Sequence, residues 1–332
     1  MKLLVVILNY RVTDLTIDCL RSLEPEVSST PGFRVAVLEN GTGGDAFVRL
    51  KRAVDENGWG AWVAVTEIHP NRGFTGGNNV VIREALASDD PPEYFVLLNA
   101  DTVVEADALG ALVRQMDTTP RAGIGGSLLL SPEGVVQASP FRFAGVATEF
   151  NRGMRLGMIS RLLKPWGIVP PTPKEPSSVE WVSGASMILR KSMLDEIGLL
   201  DEGLYTYFDD IDICLRARRA GWETWFVPGS RVVHLEGAST GIVQRVVKRR
   251  PDYWFAARRR FFLKSYGPMY TALVDAAYLV GFAAWRLRRR VQGKPDTDPP
   301  HMLADSLRHS VFVAGFSPTE VENPAMKQDK AT

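Results

Sequence analysis

The feature of this sequence that most limits its fold is a regular alternation of short apolar runs with helical patterns. The first apolar run begins at Leu3 and ends at Asn9, and residues 12–23 then carry apolar side chains at helical spacing. Further apolar runs, each separated from the next by a helical or glycine-rich stretch, lie at residues 33–38, 62–65 and 94–98. Short continuous apolar runs are typical of buried strands, and strands that alternate with helices pair in parallel. The sequence therefore predicts an α/β fold with a Rossmann-like, mostly parallel sheet and helices on both faces.

A lone carboxylate, Asp101, interrupts the apolar run that extends from Tyr94 to Val104. It falls at the carboxyl end of a predicted buried strand, where α/β sheets gather their ligands. A charged carboxylate at such a position needs a cation, hydrogen bonds or open water. Asp101 is therefore a candidate metal ligand, and a helix cap or a turn aspartate is the alternative explanation.

The glycine-rich segment Asn71–Asn79 precedes a helix that the pattern predicts from about Val80 to Ala87. Glycines permit a close approach of backbone to a ligand, and a helix N-terminus favours anions, so a phosphate-facing loop is one interpretation. A tight turn packed against the sheet explains the same residues equally well. No G-x-G-x-x-G pattern follows the first strand, which argues against a dinucleotide-dependent dehydrogenase.

Three carboxylates, Asp209, Asp210 and Asp212, cluster where a helix is predicted to begin. Helical spacing places Asp209 and Asp212 on one face and points Asp210 elsewhere. This cluster is the second candidate chemical centre of the chain. Acidic residues are also favoured at helix N-termini by the helix dipole, so a structural role is the alternative, above all for Asp209.

Two further stretches place polar residues near predicted strands. Residues 180–189 are strand-like, but Ser183 and Gly184 indicate a bend that lines a cleft. His234 follows an apolar pair and precedes the small residues 237–240. A lone histidine is more often a structural residue than a ligand, but this position keeps His234 as a candidate.

The composition is that of an ordinary globular protein, with 45% hydrophobic and 23% charged residues and a formal net charge of +1. This balance argues against a polyanionic partner for the molecule as a whole, so no nucleic-acid partner is expected. Cys19 and Cys214 lie in helix-like apolar patterns, which predicts buried thiols in a reducing compartment. The first apolar run is too brief for a signal peptide and no cleavage site follows it, so we expect a cytoplasmic protein.

The C-terminal part of the chain changes in character. Residues 140–176 are proline-rich and are predicted to form an irregular, acceptor-side lid. Residues 241–292 place an apolar stretch, 268–285, between basic clusters. This pattern predicts amphipathic helices lying on an anionic membrane surface, and ordinary C-terminal helices with solvated arginines are the alternative. Residues 293–332 are predicted to be a mobile tail.

The ordered motifs of this chain resemble those of inverting family 2 glycosyltransferases with a GT-A fold, in particular the rhamnosyltransferase-like group. The likeness covers roughly Leu3 to Ser239 and rests on ordered segments at residues 5–10, 37–40, 71–79, 97–102, 181–185, 208–214 and 234. It implies a GT-A domain over residues 1–240. Within that domain, residues 1–104 would form the nucleotide-sugar half and residues 105–240 the acceptor half.

The resemblance also implies a divalent metal, Mg²⁺ or Mn²⁺, bridging the diphosphate of the sugar donor. Asp101 ends the family's abbreviated D-x-D motif and would bind that metal, which takes oxygen ligands. Asn99 stands in place of the first carboxylate of the motif. His234 matches a position that completes the metal shell in related enzymes.

Further donor-binding residues follow from the same resemblance. Glu39 falls where the family usually has an aspartate that contacts the nucleobase, and Asn9 and Tyr10 lie near that pocket. The glycine-rich motif adds three donor-binding candidates, Asn71, Gly73 and Asn78.

On the acceptor side, Asp210 matches the family's catalytic base. It would take the proton from the acceptor hydroxyl as that oxygen attacks the anomeric carbon. Asp209 occupies the usual glutamate position beside it. Trp181 and Gly184 would line the acceptor cleft.

The resemblance thus implies a metal-dependent transferase that moves a sugar to a lipid-linked or cell-envelope glycan. Rhamnose from dTDP-rhamnose is the best single donor, a polyprenyl-linked glycan is the expected acceptor, and the enzyme would contact the inner face of the cell membrane peripherally. A noncatalytic nucleotide-sugar-binding protein would be expected to lack a metal carboxylate or the base, yet Asp101 and Asp210 are both present. A nucleic-acid binder would expose a basic and aromatic groove, whereas here the basic groups flank an apolar helix.

Overall fold

Strands and helices alternate along the chain. A computed structural model describes residues 1–30, 32–155, 167–235 and 248–320. The strands are β1 (Leu3–Asn9), β2 (Phe33–Asn40), β3 (Val63–Ile68), β4 (Tyr94–Asn99), β5 (Thr102–Val104), β6 (Ala122–Leu130), β7 (Pro140–Phe141), β8 (Ser177–Val179), β9 (Trp181–Val182), β10 (Ser186–Arg190) and β11 (Glu223–His234). The helices are α1 (Thr13–Ser22), α2 (Glu24–Ser29), α3 (Ala46–Glu56), α4 (Gly73–Leu86), α5 (Ala108–Thr118), α6 (Val146–Met154), α7 (Lys191–Ile197), α8 (Asp209–Arg219), α9 (Asp252–Val291), α10 (Met302–Arg308) and α11 (Val311–Ala314).

Nine of these strands form one sheet in the order β3-β2-β1-β4-β10-β6-β11-β5, with β8 also paired to β11. The first four are parallel, as the alternation of strands and helices predicts. Both faces are covered: one hydrophobic cluster joins the sheet to α1, α3 and α5, and another joins it to α4, α7 and α8. Burial on both faces explains why these strands are continuously apolar. The α/β fold class is confirmed.

The second half of the sheet is mixed, which is a departure from a mostly parallel arrangement. Strand β10 runs antiparallel to both β4 and β6, whereas β6 and β11 are parallel. Because β10 is reversed, its amino end meets the carboxyl end of β4, where the Asn99 N–H donates to the Ala185 carbonyl at 2.9 Å. The reversal therefore brings the 183–185 bend to the edge of the sheet that carries Asp101.

Helix α4 begins at Gly73, well before the predicted start near Val80. Its glycines and asparagines have low helix propensity, so tertiary contacts must hold the first two turns. The N–H groups of Phe74 and Thr75 donate to the Tyr205 carbonyl at 2.7 and 3.2 Å, and the Asn79 amide donates to the Leu200 carbonyl. The glycine-rich segment is thus chiefly the start of a helix packed on the sheet rather than a free loop.

Residues 140–176 are more ordered than predicted. They contain β7 and helix α6, and α6 packs closely against α9, although residues 156–166 lie outside the described part of the chain. A Cβ atom on Gly153 of α6 would come within 2.6 Å of the Tyr278 carbonyl oxygen, and one on Gly281 of α9 within 2.6 Å of the Phe150 carbonyl oxygen. Glycine at both positions permits this close contact of the two helices.

Helix α9 also differs from the predicted surface helix, because much of it packs on the domain. It breaks at Gly267, which has φ +79°, and continues from Pro268 to Val291. Asp275 is buried and pairs with Arg258 at 2.6 Å, so part of the basic cluster is internal. Among the described residues, no helix combines the length and apolar character that a membrane span requires.

The predicted mobile tail carries two short helices in its described part. Met302 of α10 and Val311 of α11 are buried, and the N–H of Val311 donates to Asp275 at 2.9 Å. Arg249 forms a bidentate ion pair with Asp305 of α10. The described residues up to 320 therefore pack against α9, while residues 321–332 lie outside the described structure.

Candidate active site

One cavity of about 640 Å³ lies at the edge of the sheet where β1 and β4 end and β10 begins. This volume is in the range of small-molecule sites. Eleven of the residues predicted from the sequence line it, namely Tyr10, Asn71, Gly73, Asn78, Asn99, Asp101, Trp181, Gly184, Asp209, Asp210 and His234. The structure thus brings together residues that are more than 200 positions apart in the chain.

Asp101 and His234 form a pair at the base of this cavity. The Nε2 atom of His234 lies 3.4 Å from Oδ1 of Asp101 and 3.4 Å from Nδ2 of Asn99. The pairing of β11 with β5 sets Thr102 opposite His234, and the N–H of Leu235 donates to the Asp101 carbonyl at 3.0 Å. Asp101 is only 3% exposed.

These donor atoms fit a divalent cation. Carboxylate oxygen and imidazole nitrogen both suit Mn²⁺, and the Asp101 carboxylate suits Mg²⁺. Among the described residues, the buried Nδ1 of His234 has no hydrogen-bond partner. The pair supplies two protein donors, so a bound cation would leave the rest of its shell to ligand oxygens or water.

A second group of metal-donor atoms does not need a cation. The side chains of Glu39, Glu67 and His69 approach within 4.8 Å of one another. The Glu39 carboxylate, however, accepts hydrogen bonds from the N–H groups of Gly41 at 3.3 Å and Thr42 at 2.6 Å. These bonds satisfy the buried charge and fix the turn after β2.

Asp210 faces the cavity from the first turn of α8 and is held in place by backbone N–H groups. Gly184 donates to its Oδ2 at 3.3 Å and Ile211 to its Oδ1 at 2.9 Å. Burial raises the pKa of Asp210 to about 6, against the opposing effect of these hydrogen bonds. At neutral pH the side chain is therefore a carboxylate that accepts a proton more readily than an ordinary aspartate.

Asp209 lies next to Asp210 but is almost fully buried. Burial, followed by repulsion from Asp210, holds the pKa of Asp209 well above its usual range. Two adjacent carboxyl groups in one cavity thus differ in environment, with Asp210 the more readily ionised. Asp212, predicted to share a face with Asp209, instead pairs with Arg216 at 2.8 Å and is structural.

The chain that leads into α8 is strained. Tyr205, Tyr207 and Phe208 all have positive φ, at +56°, +68° and +62°. Non-glycine residues rarely adopt this conformation, and such strain is often found at functional sites. Gly73 lies directly against the same segment, because a Cβ atom at this position would come within 2.4 Å of the Tyr205 ring.

Two predicted donor residues do not line the cavity. The amide of Asn9 is buried and bonds to Thr16, which donates to its Oδ1 at 2.9 Å. Glu39 is 1% exposed and holds the turn described above. The structure places both beneath the site, and their contact with a nucleobase stays a prediction.

The cavity also has an aromatic wall that was not predicted from the sequence. Besides Tyr205, Tyr207 and Phe208, the wall contains Tyr253 and Trp254 at the start of α9. The rings of Tyr207 and Tyr253 stack with centroids 5.9 Å apart, and Phe208 meets Trp254 at 5.7 Å. The aromatic run beside Asp209 was visible in the sequence, but nothing local indicated that α9 would meet it.

Comparison with known sequences agrees with this arrangement. A family model described as Glycosyltransferase like family 2 matches residues 2–261. The N-acetylglucosaminyl-diphospho-decaprenol L-rhamnosyltransferase of Mycobacterium tuberculosis is 31% identical over 157 residues, covering 45% of this chain and 49% of that protein. Rhamnosyltransferase WbbL of Escherichia coli is 24% identical over 164 residues, covering 49% of this chain and 60% of that protein. These matches span about half the length of the curated relatives.

Comparison with solved structures identifies the fold as GT-A. The crystal structure of GalNAc-T7 with UDP, GalNAc and Mn²⁺ superposes with a TM-score of 0.59 and 16% sequence identity. The match covers 93% of this chain and 54% of that one. At this level of identity the likeness concerns the fold and not the substrate.

Proposed function

Because this chain belongs to glycosyltransferase family 2, we propose that it transfers a sugar from a nucleotide-sugar donor to a lipid-linked or cell-envelope glycan, with inversion at the anomeric carbon. One observation carries the proposal: the same cavity contains the Asp101–His234 pair and the carboxylate of Asp210. The Asp101–His234 pair can bind a cation that faces the donor diphosphate. The Asp210 carboxylate can act as a base toward an acceptor hydroxyl. A single-displacement transferase needs both.

In this mechanism Asp210 accepts the proton of the acceptor hydroxyl. The acceptor oxygen forms a bond to the anomeric carbon while the bond from that carbon to the diphosphate oxygen breaks. The N–H groups of Gly184 and Ile211 fix the orientation of the carboxylate toward the cavity. A divalent cation held by Asp101 and His234 would supply positive charge to the departing diphosphate.

Rhamnose from dTDP-rhamnose is our proposed donor. The two curated relatives described above are both named as rhamnosyltransferases, which supports this choice. The name of the mycobacterial relative also contains a diphospho-decaprenol carrier, which supports a polyprenyl-linked acceptor. A noncatalytic nucleotide-sugar-binding protein is the alternative.

We also propose that α9 makes peripheral contact with the inner membrane face. Its second half exposes an apolar stripe, defined as Met269, Leu273, Val280, Leu287 and Val291. At 100° per residue these side chains fall within about 40° of one another on the helix. Arg288 and Arg290 flank the stripe at about 60° on either side. Arg290 is exposed, as expected for a helix that rests on anionic lipid.

The proposed function is tested by thermal shifts with UDP, dTDP and GDP, each with and without Mn²⁺. We expect dTDP to raise the melting temperature only with Mn²⁺, and Asp101→Asn to abolish that shift because the metal loses its carboxylate ligand. Asp89→Asn, at an exposed loop position, is the matched control and should keep the shift.

Two outcomes would contradict the proposal. A metal-dependent shift retained in Asp101→Asn would remove this residue from the metal site. A wild-type protein that responds to none of the nucleotides would not be a nucleotide-sugar transferase of the kind proposed.

A further inference from the structure

Two arginines stand beside the cavity where α6 meets α9. The guanidinium carbon of Arg250 lies 4.5 Å from the centroid of the Trp254 ring. That of Arg152 lies 5.9 Å from the same ring and 4.8 Å from the Tyr278 ring. Because Trp254 also lines the cavity, both cations adjoin its aromatic wall.

Among the described residues, the carboxylates near these arginines do not fully compensate their positive charge. Glu149 accepts hydrogen bonds from both Arg152 and Arg258, and Asp275 accepts one from Arg258. In the part of the chain that the structure describes, Arg250 has no hydrogen bond or ion pair of its own. Arg152 and Arg258 thus share the two carboxylates, and Arg250 is left without one among the described residues.

The environment of Arg250 shows the same excess of positive charge. Burial against its neighbours and then repulsion from Arg152 lower the pKa of Arg250, and no carboxylate of the described residues opposes them. The Nε atom of Arg152 is buried and likewise has no hydrogen-bond partner among the described residues. A planar guanidinium with free N–H groups matches the geometry of a phosphate.

We propose that Arg250, assisted by Arg152, binds the diphosphate that joins the acceptor sugar to its lipid. This inference rests on the proposed function and assigns a phosphate site to the acceptor. The donor diphosphate is expected elsewhere, at the Asp101–His234 pair where β4 and β11 end.

The order of the groups along the protein favours the acceptor diphosphate, rather than the donor diphosphate, as the ligand of Arg250. Asp210 lies two residues after Phe208, Phe208 contacts Trp254, and Arg250 covers Trp254. A lipid-linked glycan presents its groups in the same order, from the reacting hydroxyl through the sugar to the diphosphate and the lipid.

The position relative to the apolar stripe is also suitable. Tyr278, which Arg152 covers, is on the side of α9 opposite the stripe, because nine helical residues from Met269 correspond to half a turn in angle. Arg152 therefore lies about one helix diameter, about 10 Å, from the stripe. A stripe resting at the hydrocarbon boundary would set Arg152 near the level of the lipid phosphates.

The test measures binding of farnesyl diphosphate, a short lipid diphosphate, by calorimetry in EDTA so that no metal site contributes. We expect the wild type to bind farnesyl diphosphate more tightly than farnesol. Arg250→Gln should weaken diphosphate binding at least tenfold, and Arg250→Lys should weaken it less because one charge is retained. Arg52→Gln, an exposed arginine on α3, is the charge-matched control and should bind as the wild type does.

A second measurement separates the acceptor from the donor. Affinity for dTDP with Mn²⁺ should be unchanged in Arg250→Gln. The melting temperature without ligand should stay within about a degree or two of the wild type, because Arg250 makes no hydrogen bond or ion pair with the described residues. Weakened dTDP binding would assign Arg250 to the donor instead. The acceptor site would be overturned if Arg250→Gln bound farnesyl diphosphate as tightly as the wild type, or if the wild type did not bind it. A wild type that shows no Mn²⁺-dependent thermal shift with dTDP would contradict only the proposed function.

Discussion

At the scale of single residues, the two adjacent carboxyl groups Asp209 and Asp210 are distinguished by their surroundings. Asp210 receives N–H groups from Gly184 and Ile211, while Asp209 is more deeply buried and is repelled by its neighbour. Pairs of acids whose environments differ in this way commonly divide chemical roles. The geometry therefore favours Asp210 as the base, with Asp209 as a buried neighbour whose carboxyl pKa is raised.

Asp210→Asn is expected to lower the rate of transfer by at least about a thousandfold, in the range of lost base catalysis. The amide keeps the size of the side chain but cannot accept the proton. Donor affinity, measured by titration with dTDP and Mn²⁺, should change by less than about twofold. Strongly weakened donor binding would instead make Asp210 a donor or metal residue.

The pH dependence should report the same group. Because the pKa of Asp210 is raised to about 6 and the base works only when deprotonated, activity should fall as the pH drops through about 6. The measurement is kcat/KM for the acceptor at saturating donor and Mn²⁺, which keeps metal loss out of the profile. An acid limb near pH 4 would show that Asp210 is an ordinary, solvated carboxylate or is not the base.

At the scale of elements, the site depends on contacts between helices that the local sequence does not specify. The α6–α9 contact holds Arg152 beside Trp254 and depends on the small size of Gly153 and Gly281. Both glycines meet backbone atoms of the facing helix, which cannot move aside as a flexible side chain does. This contact therefore positions one wall of the cavity.

Gly281→Ala should destabilise the protein by about 1–3 kcal/mol, because overpacking against backbone outweighs the better helix propensity of alanine. The measurement is the midpoint of chemical denaturation. Gly60→Ala is the control, since a Cβ atom there meets nothing within 4 Å. Equal stability of Gly281→Ala and the wild type would show that the two helices are not in the close contact described.

At the scale of the whole molecule, the body of the protein is asymmetric in its surface. The apolar stripe of α9 faces outward, while the opposite side of the same helix, with Val274, Tyr278 and Phe282, is part of a hydrophobic core. Removing the second half of α9 would therefore unfold part of the protein rather than only release a membrane anchor. Point substitutions on the stripe test the membrane proposal without this complication.

The double variant Leu273→Glu and Val280→Glu should sediment with anionic vesicles at least fivefold less than the wild type, because two carboxylates oppose insertion into the lipid surface. Val48→Glu, an exposed apolar position on α3, is the control and should bind vesicles normally. A wild type that forms a dimer and ignores vesicles, with the dimer lost in the double variant, would assign the stripe to a second copy of the chain.

Much of the site could be predicted from local sequence. Asp101, Asp210 and His234 were each singled out by their position after an apolar run or at a helix start, and all three line one cavity. The reversed direction of β10 could not be predicted, because the alternation of strands and helices does not specify which neighbour a strand pairs with. The uncompensated charge of Arg250 could not be predicted either, because it depends on Glu149, about one hundred residues earlier, and Asp275, about twenty-five residues later.

The sequence by itself determined the α/β class and the parallel strands β1 to β4, and it predicted the candidate site residues, because strand burial and helix periodicity depend on neighbouring residues. The tertiary structure alone decided that β10 reverses, that α4 begins among glycines and that α9 packs on the domain while leaving a stripe exposed. These features arise from pairing and packing between distant segments, whose free energies depend on contacts that no local pattern contains.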